Sequence, residues 1–202
     1  MKNLILSVIV LIFCACGASK DKKADAPDNV SLESRLASFM KANDNMNIEE
    51  MADYLYPKLF TIAPKADLIK SMQETFNGDE MKVELDEVKV DTLYPVFESG
   101  EGKYAKVKYS MIMRMNFINT ADSTAYNKEM LKNIMQSMAA EYGAENISLD
   151  EKGIISIKEK SVMVAVKDEY AKEWSFVELK ENDPMTDKLF TKELLAKLAT
   201  YN

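Results

Sequence analysis

The order of periodicities along the chain predicts an α+β fold, with helices first and a curved antiparallel sheet after them. Three observations carry this. Apolar residues recur at helical spacing from Leu32 to Phe76, they switch to strict alternation from Met81 onward, and a further helical stretch at residues 125–142 separates the long alternating runs. The longest alternation is apolar on one side and mostly polar on the other. The helices are therefore expected on one face of the sheet, with the stretch at 125–142 as an insertion and one more helix at the C-terminus.

Taken in order, the first helix carries Leu32, Leu36, Phe39 and Met40 on one side. The second has Asn47 and Glu50 in capping-box positions and Ile48, Met51, Ala52, Leu55 and Leu59 on one face, with Pro57 ending the regular turn. Pro64 opens the third, in which Leu68, Ile69, Met72 and Phe76 share a face before Asn77-Gly78 stops it. In the first strand Met81, Val83 and Leu85 alternate, Asp86-Glu87 breaks the parity, and Val88 and Val90 resume it, as a bulge does. Ser99-Gly100-Glu101-Gly102 turns the chain into the longest strand. There Ala105, Val107, Tyr109, Met111, Met113, Met115 and Phe117 share one face, and Lys106, Lys108, Ser110, Arg114 and Asn116 the other. The inserted helix packs by Met130, Ile134 and Met138.

Asp150-Glu151-Lys152-Gly153 marks a hairpin between 147–149 and 154–157, and Val162, Val164 and Val166 continue the later strand. Another strand holds Trp174, Phe176, Val177 and Leu179. Asp183 caps a single last helix, with Pro184 in its first turn and Met185, Leu189, Leu194 and Leu198 facing inward. No internal repeat is visible.

Upstream of the helices the chain carries an address. Met1-Lys2-Asn3 precedes an apolar run from Leu4 to Phe13, interrupted only by Ser7, that stops at Gly17-Ala18-Ser19-Lys20. This is the architecture of a secretory signal, and it falls short of the roughly 20 apolar residues that a membrane span needs. Phe13-Cys14-Ala15-Cys16-Gly17 resembles the lipobox of bacterial lipoproteins, in the looser form of Bacteroidetes, because Phe13 stands where leucine is usual. The resemblance implies cleavage before Cys16, with Cys14 as the alternative, and lipidation by a diacylglyceryl group plus an amide-linked acyl chain such as palmitate, enough for stable anchoring.

The expected organisation is a signal peptide at 1–15, a lipidated cysteine and flexible tether at 16–30, and one domain at 31–202. The mixed charges of Lys20-Asp21-Lys22-Lys23 do not match the acidic run of surface-exported relatives, so the outer membrane, facing the periplasm, is the expected location. With Cys16 modified no disulfide remains, and stability must come from a core. A composition of 47% hydrophobic and 29% charged residues can supply one. The net charge of −7 disfavours nucleic acid and predicts repulsion from anionic headgroups.

From residue 31 to about 180 the order of elements resembles the NTF2-like (cystatin-like α+β cone) superfamily. The residues that carry this are Met51-Ala52-Asp53-Tyr54-Leu55-Tyr56, Leu59-Phe60, the short helix Leu68 to Phe76, and the strand Trp174-x-Phe176-Val177-x-Leu179. The resemblance implies a cone with an apolar interior, which in some members is an isomerase or dehydratase site and in others a binding pocket or a filled core. Asp53, Tyr54, Tyr56, Tyr109 and Trp174 are the candidate lining, with Asp53 as base and Tyr54 as donor if the site is catalytic.

Chemistry is otherwise sparse. The chain has no histidine, which removes the usual nucleophile activation and His-ligated zinc, and it shows no phosphate-binding loop. Met111, Met113 and Met115 put three thioethers on one strand face, a donor type suited to Cu(I), although methionine also fills irregular cores. No cofactor or metal is expected.

Arg114 reads as a surface ion pair. Its polar sheet face gives little support to a sheet-face dimer, so a monomer is favoured. The expected function is a non-catalytic, lipid-anchored envelope protein that binds an apolar small molecule or a protein partner. An isomerase or dehydratase on a Tyr/Asp pocket and a purely structural domain are the rivals.

Overall fold

A computed structural model describes residues 30–118, 128–180 and 183–201. The expected signal peptide, Cys14, Cys16 and the tether up to residue 29 lie outside the described residues, as do the first residues of the helix expected from 125. Among the described residues the chain is α+β, with six α-helices and a six-stranded open antiparallel sheet.

Three helices come first: α1 (Leu32–Asp44), α2 (Ile48–Tyr54) and α3 (Lys65–Phe76), with a 3-10 turn at Pro57–Thr61. Asn47 caps α2 as expected, but the reciprocal bond of a capping box is replaced, because the Asn47 amide donates to the Ala42 carbonyl and Glu50 accepts from the Asn47 side chain instead. The Asn47 side chain accepts from the Glu50 amide at 3.3 Å and donates to the Glu50 carboxylate at 2.9 Å. Leu68, Ile69, Met72 and Phe76 are all half-buried, so α3 is a shallower cover than α1, which buries Leu32, Leu36, Phe39 and Met40.

The sheet comprises β1 (Met81–Leu93), β2 (Phe97–Ser99), β3 (Gly102–Phe117), β4 (Ile147–Leu149), β5 (Ile154–Lys167) and β6 (Ser175–Glu178), with α4 (Lys128–Tyr142) between β3 and β4. Strands β3 and β5 lie at its centre. β1 and β2 flank β3, while β4 and β6 pair with opposite ends of β5. The register between β1 and β3 slips between Asp86 and Lys89, where Glu87 takes φ +52° and its amide is held by the Asp86 carboxylate at 3.0 Å. That is the bulge that the parity break predicts.

β3 and β5 pair without a slip from Lys103↔Lys167 to Asn116↔Ile154. Odd-numbered side chains of both strands therefore share one face and even-numbered ones the other. On the odd face, Ala105, Val107, Met163, Ala165 and Phe176 meet α1 and α2 at one end. At the other end Val83, Met115, Ile155 and Ile157 meet Leu131, Ile134, Met135 and Met138 of α4.

The even face departs from the expectation of helices on one side only. Tyr104, Val164, Val166 and Val177 are buried there under Leu189, Phe190, Leu194 and Leu198. The reason is legible in β5, whose run Met163-Val164-Ala165-Val166 is buried at every position, as a strand covered on both faces must be. The C-terminal helix is also two helices, α5 (Pro184–Leu189) and α6 (Lys192–Ala199). Between them Phe190 is extended and stacks on Tyr56, centroids 6.0 Å apart, and the Thr191 hydroxyl caps α6 by accepting from the Leu194 amide.

Candidate functional site

Between its two helical covers the odd face is open, and its residues change character there. Along β5 the odd positions read Ile155, Ile157, Glu159, Ser161, Met163, Ala165, so two polar side chains interrupt a buried apolar series. β6 adds Glu178, directly across from Met163. β4 pairs with β5 only as far as Ile157 and β6 only from Met163, which leaves 158–161 paired with β3 on one edge and without a strand on the other among the described residues. The Leu179 amide donates to the Val162 carbonyl at 2.8 Å. By alternation the main-chain N–H and C=O of Lys160 are turned to the same edge.

The result is a cleft of about 860 Å³. Met111, Glu159, Ser161 and Glu178 form its floor, Glu87 enters from the bulge, Glu141, Tyr142 and Asn146 come from the end of α4 and the turn beyond it, Lys180 closes the β6 side, and Lys89, Lys158 and Lys160 line it as well. The Ser161 hydroxyl lies 2.9 Å from Glu159 Oε1 and 3.4 Å from Glu178 Oε1. A hydroxyl has one proton to donate, so only one of the two carboxylates can receive it at a time, and the pair is short of a donor.

The local electrostatics run the same way. Partial burial raises the Glu178 carboxyl above its ordinary range, and the charge of Glu159 adds to this while Lys180, 3.6 Å away, opposes it. Burial, then the charge of Glu178, raises Tyr109 behind the floor. Tyr142 is raised by burial and by Glu141 and Glu159, and the carboxylate of Glu178 raises Lys180. Such a surface accepts hydrogen bonds and positive charge. No group of three or more His, Cys, Asp or Glu side chains suited to a metal occurs among the described residues.

The residues singled out from sequence do not form one pocket. Asp53 is on the solvent side of α2, 68% exposed and paired with Lys65. Tyr54 packs on Phe39 with the Arg35 guanidinium 4.9 Å from its ring centroid, and Trp174 is buried in the same core, its carbonyl accepting from Arg35 Nε at 2.5 Å. Tyr56 belongs to the opposite face, where its hydroxyl donates to Asp168 at 2.5 Å. Met113 and Met115 pack under α4, whereas Met111 lines the cleft, so the three thioethers divide between core and cleft. Only Tyr109 and Met111 border the open band. Arg114 makes the surface ion pair expected of it, with Asp86 at 2.9 Å.

Sequence reasoning missed Glu159, Ser161 and Glu178. They come from β5 and β6, whereas the candidates named from sequence lie on or just after α2, on β3 and at Trp174. The available signal was the polar pair lying in phase with the apolar residues of β5, which marks where the cover is interrupted.

The chain matches no protein-family model and no curated protein. Among the described residues no helix is long and apolar enough to cross a membrane.

Proposed function

We propose that this chain is a lipid-anchored envelope protein whose domain, an elaborated NTF2-like cone, acts by binding, and that its cleft receives a positively charged segment of a partner protein. The observation that carries the reading is the carboxylate pair of Glu159 and Glu178, both within reach of the Ser161 hydroxyl in the uncovered middle of the odd face; the cleft around it is lined by Glu87 and Glu141 and by Lys89, Lys158, Lys160 and Lys180. A carboxylate pair with Glu159 half-buried and Glu178 exposed favours a cationic or hydrogen-bond-donating group over the apolar small molecule that the aromatic residues suggest, and it disfavours nucleic acid.

The NTF2-like reading is supported by leading helices that run into long, bulged antiparallel strands; α4 and the α5–α6 pair are its elaborations. Anchoring rests on Cys16 and its lipobox context, with the outer membrane facing the periplasm as the location. The mass of the chain purified from its own envelope tests both parts. We expect an acylated N-terminal cysteine, together with a bound polypeptide that departs on unfolding and is missing from Glu159→Gln/Glu178→Gln. An unmodified N-terminus sinks the anchor, and a retained apolar molecule sinks the cleft assignment.

A further inference from the structure

The net charge of −7 predicts repulsion from anionic surfaces, but the fold does not distribute that charge evenly. Strand alternation turns Glu159 and Glu178 to the odd face, and the even face, where α5 and α6 do not cover it, carries more lysines than acids. Lys158 and Lys160 project there from β5 and are exposed, as is Lys89 of β1, which pairs with Ser110. Lys106 and Lys108 continue the row along β3. Of the acids on this face, Asp86 is engaged by Arg114, Asp91 accepts from the Ser110 hydroxyl at 2.9 Å, and Glu84 stands exposed opposite Arg114.

At the border with α6 the lysines meet aromatic rings. Tyr201 packs against Tyr94 and Phe97 at 5.5 and 5.7 Å between centroids, with Lys108 Nζ 5.6 Å from the Tyr94 ring and Lys197 Nζ 5.9 Å from that of Phe97. Val96 beside them is 47% exposed. Lysine mixed with aromatic and exposed apolar residues is the composition that settles at a bilayer interface.

We propose that the even face docks on an anionic phospholipid surface. The inference rests on the lipid-anchor reading for proximity. A tether of residues 17–30 spans at most roughly 45 Å when extended, so an anchored domain is always within reach of the headgroups and a weak contact suffices. Each lysine near an anionic leaflet strengthens the contact by about five-fold, and added salt weakens it.

Lysine acetylation rates, read by mass spectrometry on the full chain mixed with phosphatidylcholine vesicles with or without phosphatidylglycerol, test this alongside vesicle flotation. Lys89, Lys158 and Lys160 should react several-fold more slowly on the phosphatidylglycerol vesicles, while Lys41 of α1 and Lys70 of α3 keep their rates. Lys158→Gln/Lys160→Gln should abolish the protection of Lys89 without shifting the melting midpoint. A chain that floats with both vesicles and shows equal lysine rates keeps its anchor and loses the docking face. One that floats only with phosphatidylglycerol, with the lysines protected, keeps the face and loses the anchor; one that floats with neither loses both.

Discussion

The two faces of the sheet are built from the same strands and differ in what they leave open. The odd face is apolar at both ends and acidic in the middle; the even face is apolar only beneath α5 and α6 and richer in lysines than in acids elsewhere. β5 serves both, and its Lys158-Glu159-Lys160-Ser161 run mixes both signs along the sequence. Folded, the alternation sends the lysines one way and the glutamate the other. A strand of alternating charge is thus two surfaces of opposite sign, and net charge describes neither.

The apolar covers set the scale against which the open parts are judged. Phe176 is fully buried and stacks on Phe39 at 5.0 Å, so Phe176→Ala should cost about 3–5 kcal/mol in urea unfolding. Leu198→Ala, under the even-face cover, should cost about 2–5 kcal/mol. A cost below 1 kcal/mol for Leu198→Ala would mean that α6 is an appendage and that the even face has no structural end.

The cleft should respond in the opposite direction. Glu159→Leu/Glu178→Leu replaces polar groups that interrupt an apolar series, and should stabilise the fold by about 1–2 kcal/mol while removing partner binding. Destabilisation would make the carboxylates part of the scaffold instead.

A pH series sharpens the point. Because the folded state raises the Glu178 carboxyl above its ordinary 4.5, it binds that proton more tightly than the unfolded chain does. The resulting penalty is complete above the raised value, shrinks as pH falls through it, and is gone below the unfolded one. The melting midpoint of the native chain should therefore gain on that of Glu178→Gln as pH drops from neutral into the mildly acidic range. Parallel curves would leave Glu178 an ordinary surface acid.

The smallest effect belongs to the basic face. Lys158→Gln/Lys160→Gln should change stability by no more than about 0.5 kcal/mol, since both side chains are exposed. A larger loss would tie these lysines to the fold and not to a surface they touch.

Local rules were legible and arrangement was not. The Asn47 cap of α2, the bulge at Glu87, the turn at Gly100 and the phase of β3 each follow from neighbouring residues, and each stands where its residues imply. The break after Leu189 depends on where Phe190 finds a partner, which is Tyr56 on a distant segment. The cleft depends on the lengths of two helical covers and the gap between β4 and β6, quantities no single stretch encodes. Tyr54, Tyr56 and Trp174 misled because aromatic residues near one another in sequence, or in one pattern, can belong to different faces of a sheet.

One further feature concerns how the chain is made. The earliest helices are bound to the last strand: Leu55 bridges to Phe176, the Tyr56 amide donates to the Phe176 carbonyl at 2.9 Å, and Arg35 reaches both the Trp174 carbonyl and the Glu173 carboxylate. Contacts this remote close late and slow folding. As the chain emerges from its N-terminus, α1 and α2 can begin to pack on β1, β3 and β5, but their hydrogen bonds and ion pair to residues 173–176 close only when β6 has been synthesised. For the exported precursor we propose, that delay keeps the polypeptide threadable through a narrow translocation pore until its last quarter is available, and the core then closes after the passage is nearly complete.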